Sequence, residues 1–75
     1  MPTFSEGQDY LIQSRKHGDR ISEPTTVVAR IEKIDEKVSM VKLVPLDKEY
    51  ENKYFRIPYF EWLLYTGDIK PYVGT

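Results

Sequence analysis

The chain has 75 residues, eleven Lys and Arg against twelve Asp and Glu, and no cysteine. That length holds one core and no second lobe, so a single domain is expected over residues 1–75. The missing thiols exclude a disulfide scaffold, a zinc knuckle, an iron–sulfur site and a thiol nucleophile, and a formal charge of −1 removes the plainly basic surface on which sequence-independent nucleic-acid binders rely.

Residues 1–7 are polar apart from Phe4 and Met1, so a loosely ordered start is expected that tightens near Gly7. This opening lacks the basic residues and apolar run of a signal peptide, and no apolar stretch approaches the roughly 18 residues of a membrane span. With no cysteine to oxidise, a cytoplasmic location is the expectation. Asp9 to Ser14 sets Tyr10, Leu11 and Ile12 between polar neighbours and reads as the first strand. Arg15 to Pro24 is a loop, with Gly18-Asp19 as a turn and Glu23-Pro24 returning the chain to extended geometry.

Thr25 to Ile34 is the clearest strand, because its β-branched residues alternate and place Val27, Ala29 and Ile31 on a core face opposite Arg30 and Glu32. A polar turn at Asp35-Glu36-Lys37 leads into Val38 to Leu46, and the two arms make an antiparallel hairpin. Lys42 points to water. Val41 and Leu43 therefore point inward, and Met40 and Val44 share the Lys42 face, which is apolar enough to need a cover or a partner.

Asp47 to Lys53 is a charged connection, and Tyr54 to Ile57 resumes a strand. Pro58 and Gly67 bracket a helix over Tyr59 to Tyr65, since proline suits a first helical turn and glycine the position past a helix end. Phe60, Leu63, Leu64 and Tyr65 form its apolar stripe, with Phe55, Ile57, Phe60 and Leu63 as the expected interior. Asp68 to Val73 closes the chain as a strand limited by Pro71. Four to five short strands with one brief helix before the last resemble the layout of small SH3-like β-barrels, including the opening Phe4-Ser-Glu-Gly-Gln-Asp-Tyr-Leu-Ile. The signature of SH3 signalling domains is missing: there is no Ala-Leu-Tyr-Asp-Tyr segment, and Ile57-Pro58-Tyr59 matches only part of the closing motif. The resemblance therefore implies a fold and not proline-peptide recognition.

Catalysis finds no support in these residues. His17 is the single imidazole, and its place near Ser14 and Asp19 in sequence is not the geometry of a triad. Asp47, Glu49 and Glu51 have the spacing that opens a calcium loop, but Asn52 stands at the turn glycine and Pro58 at the bidentate acid. The four glycines are scattered, which excludes a glycine-rich phosphate cradle. No metal, cofactor or small-molecule substrate is expected.

What remains are two surfaces. By helical spacing Tyr59 and Trp62 share a face distinct from that of Phe60 and Leu64, and exposed Tyr and Trp are the residue types that anchor partners. The expected function is a non-enzymatic interaction module that binds a protein, or itself, through Tyr59 and Trp62 flanked by Met40 and Val44. The alternative is a nucleic-acid-binding barrel that uses Arg15, Lys16 and Arg20 with exposed tyrosines. A third reading, a virus- or plasmid-type accessory protein inhibiting a host enzyme, rests on compactness alone.

Overall fold

A computed structural model describes residues 4–73. Five strands and one helix follow in the order β1 (Asp9–Ser14), β2 (Thr25–Asp35), β3 (Met40–Pro45), β4 (Lys53–Arg56), α1 (Ile57–Thr66) and β5 (Lys70–Pro71). All strand pairings are antiparallel and make one sheet in the order β4-β3-β2-β1-β5. The domain is mostly β, as the alternating patterns required. Strand pairing does not close the sheet, because β4 and β5 are its free edges.

Period-two alternation places the core on one face. Tyr10, Ile12 and Ser14 of β1, Ala29 and Ile31 of β2, and Val41 and Leu43 of β3 are all buried, in the register expected for the hairpin. Between Ile31 and Lys33 the β2–β3 register shifts by one residue. Such a bulge reverses which residues point inward. Beyond it Ile34 packs on the core, while Lys33 is exposed. Glu32, the extra residue, reaches across to Lys42 at 2.7 Å and holds that ammonium above its ordinary range. The turn that follows needs a left-handed residue, Ser39 at φ 57°.

The helix is longer than Pro58 alone suggested. Arg56 is its extended N-cap, so Ile57 begins the helix and does not end β4, and Pro58 lies within the first turn, where no N–H is needed. Gly67 ends it at φ 88°, with its N–H and that of Ile69 both donating to the Leu63 carbonyl. Phe60 is the helix's buried residue. Its ring centroid lies 5.0 Å from Phe4, 5.4 Å from Tyr10 and 5.9 Å from Phe55, so one side chain joins the N-terminal segment, β1 and β4. Tyr65, expected on the inward stripe, is exposed instead. Leu63 and Leu64 already fill that side.

The ends of the chain are held differently. Residues 1–3 of the expected loose start lie outside the described residues, but Phe4 to Gly7 makes specific contacts. The Gly7 N–H donates to the Ile31 carbonyl, and the Glu6 carboxylate accepts from the Ile34 N–H. The closing strand is only two residues long, and Tyr10 and Leu11 pair with Pro71 and Lys70. The Tyr72 N–H donates to the Asp9 carbonyl, so the donor-less nitrogen of Pro71 points to the outer edge, where a strand tolerates proline.

Candidate interaction surface

Three aromatic side chains of α1 are more than half exposed, unlike Phe60. Tyr59, Trp62 and Tyr65 recur at i, i+3 and i+6, which puts them along one side of the helix. Trp62 is 57% exposed and Tyr65 79%. Their rings stack with centroids 5.7 Å apart at an interplanar angle of 29°. Tyr59 leans towards Phe55, at 6.1 Å. No side-chain cap marks the start of α1, and neither its first turn carries an acid nor its last turn a base. The helix surface is consequently aromatic with little charge of its own.

Met40 and Val44 are half-buried and alternate with Val41 and Leu43. They therefore sit on the opposite side of the sheet from the core that holds Phe60. Val44 lines a groove of about 330 Å³ with Arg30, Glu32, Pro45, Leu46 and Lys48. Tyr59 lines another, of about 410 Å³, whose walls include Phe55, Leu63, Ile69, Lys53 and Gln13. The two grooves share no residue. The structure thus brings Tyr59 and Trp62 together on α1 and separates them from Met40 and Val44.

The Arg15–Pro24 loop is tied down at its base. The Ser14 hydroxyl and the Glu51 N–H form bonds to the Glu51 and Arg15 carbonyls, respectively, both at 2.8 Å, and the His17 N–H donates to the Glu49 carbonyl at 2.9 Å. These bonds set the basic residues beside an acidic segment. Lys16 lies 3.4 Å from the Glu49 carboxylate, and Arg15 is half-buried. Arg20 is exposed. Asp19 accepts bonds from the backbone N–H groups of Ile21 and Ser22 at 3.0 Å, and these bonds hold its carboxyl below the usual range.

Asp47, Glu49 and Glu51 do not converge. Among the described residues no group of three His, Asp or Glu side chains comes together to hold a metal ion, and no helix is long and apolar enough to cross a membrane. Sequence reading missed Tyr65 as the partner of Trp62. The signal was present in its three-residue spacing, but Tyr65 fitted the inward stripe equally well. The groove beside Tyr59 gave no sequence signal, since its two walls come from strands far apart in the chain. No family model, curated protein or solved structure matches this chain.

Proposed function

We propose that this domain is a small SH3-like β-barrel that works as a non-enzymatic interaction module, docking a protein partner on the aromatic face of α1. The observation that carries this is the stacked pair Trp62 and Tyr65, both mostly exposed. Each ring has a large apolar area, and stacking holds the two in a fixed orientation before any partner arrives. A preorganised pair loses less freedom on binding than two mobile side chains. Met40 and Val44, across the sheet, lie outside this contact.

The barrel reading draws support from the strand order, with the helix between the fourth and fifth strands. It draws more from the bonds of Arg15 and His17 to Glu51 and Glu49, which carry the tail of β1 to the segment leading into β4. The non-enzymatic reading rests on the isolation of His17 in an exposed loop, because general acid–base work needs a proton acceptor with an orienting neighbour. The nucleic-acid reading is weakened by the carboxylate already on Lys16.

Capture from source-cell extract with and without nuclease tests the proposal. The expected result is a protein retained by the wild-type chain in both arms and lost from Trp62→Ala. Retention that nuclease abolishes, or that Trp62→Ala leaves intact, overturns it.

A further inference from the structure

The groove beside Tyr59 has strand edges on both walls. One wall is β4, an edge strand of the sheet. The Ile57 N–H donates to the Ser39 carbonyl of the β3 side. Backbone direction alternates along a strand, so Phe55 and Lys53 also bond towards β3, and the N–H and C=O of Tyr54 face the open edge. The other wall is β1. Its Asp9 carbonyl accepts from Tyr72, and the Arg15 carbonyl, one residue past its end, accepts from Glu51. Gln13 has the same parity, lies beyond the two β1 residues that β5 covers, and points its N–H and C=O to that same side.

We infer that this groove receives an extended peptide segment of a protein partner, which adds a strand along β4. Main-chain bonds to Tyr54 would hold the segment, with Gln13 opposite, and alternate side chains would reach Phe55, Leu63 and Ile69 on the apolar floor. At about 410 Å³ the groove is within the range of roughly 300–1,000 Å³ common for ligand sites. The occupant is a single segment and not the sheet edge of a second copy. A strand within a folded sheet brings a neighbour on its far side, and Gln13 and Pro24 stand there. Lys53 and Asp68, which also line the groove, would supply one charge of each sign to fix the segment's direction. This inference rests on the reading of the domain as a protein-binding module and names the form of the partner.

A displayed library of random linear peptides, selected on the full chain, supplies the probe. Enriched peptides are then titrated while amide exchange is followed residue by residue. The expected result is new protection at the Tyr54 and Gln13 amides, and a loss of about tenfold or more in affinity for Tyr54→Pro, which removes a donor facing the groove and none facing β3. Should Tyr54→Pro not fold, the amide readout on the wild-type chain decides alone. The inference is overturned if no linear peptide is enriched, if bound peptides leave both amides unprotected, or if Tyr54 is protected without peptide in a dimer. Peptides or proteins whose binding depends on Trp62 but spares both amides would overturn the groove and leave the α1 face standing.

Discussion

Phe60 and Trp62 are two residues apart on α1 and have opposite fates: the phenylalanine is fully buried against three other aromatic rings, and the tryptophan stacks on Tyr65 with more than half its surface in water. The core gains nothing from the larger ring. Trp62→Ala is therefore expected to shift the melting temperature by no more than a few degrees, whereas Phe60→Ala should cost about 3–5 kcal/mol. Tryptophan emission of the isolated domain should be red-shifted and open to quencher. A blue-shifted, protected emission with loss of folding in Trp62→Ala would place this residue in the interior.

The β2 register supports a sharper contrast. Ile31 is buried in the cluster with Leu43 and Val41, so Ile31→Asp should unfold the domain, since a small fold has only a few kcal/mol to lose. Arg30, the next residue back, is exposed and pairs with Asp9 at 2.8 Å. Arg30→Ala should cost under about 1 kcal/mol, as exposed ion pairs do. Thermal melts of the two variants check both values, and a cooperative transition for Ile31→Asp at the wild-type midpoint would contradict the register.

Tyr10 should make the domain sensitive to alkali. Burial raises its phenol above the ordinary value, and the hydroxyl donates to Gln8 Oε1 at 2.9 Å. The folded state thus holds this proton more tightly than the unfolded chain does. The stabilisation it brings is complete below the ordinary phenol value of about 10 and is lost as pH rises through the higher folded value. Alkaline unfolding should coincide with ionisation of one phenol in an absorbance titration, and Tyr10→Phe should move the midpoint to higher pH. An unchanged midpoint in that variant would show that Tyr10 plays no part.

Oligonucleotide binding should be absent or weak. If phosphates did bind at Arg15, Lys16 and Arg20, the triple alanine variant would flatten the salt dependence by about 0.9 per lost contact on duplex and about 0.7 on single strands. The Lys16–Glu49 pair and the half-buried Arg15 argue against three free contacts. Tight, salt-steep association abolished by that variant would favour the nucleic-acid reading over the protein one.

Local pattern revealed the strands well. The β1 boundaries, the hairpin and the inward set Ala29, Ile31, Val41 and Leu43 all follow from period two, because a half-buried sheet imposes it on every residue. The change of phase was also written in the chain, as the odd-numbered Val27, Ala29 and Ile31 followed by a single even-numbered Ile34, but only the β3 register reveals it as a bulge. The start of α1 was harder to place. Pro58 is compatible with either of the first two helical positions, and Ile57 is a good strand former, so the boundary depends on the chain turning just after Arg56, which is still extended and paired with Met40 of β3. The site was legible only in part. Spacing along α1 showed that Tyr59 and Trp62 share a face, whereas the separation of that face from Met40 and Val44 depends on which side of the sheet the helix covers, a tertiary fact that no window of sequence contains.

The pairing of Tyr10 with Pro71 has a kinetic consequence. The β2–β3 hairpin closes through a turn of a few residues, and such ribbons form in about 1–10 μs. The β1–β5 contact joins opposite ends of the chain, and its loop-closure entropy must be met before the two-residue strand returns any stabilisation. Folding should then proceed outward from the hairpin, with Phe60 docking on Tyr10 before the last strand is captured. The final step is the most easily reversed, so partial openings of the native state should begin at Lys70 and Pro71 and expose the edge of β1 at Asp9 and Leu11 while the hairpin stays intact.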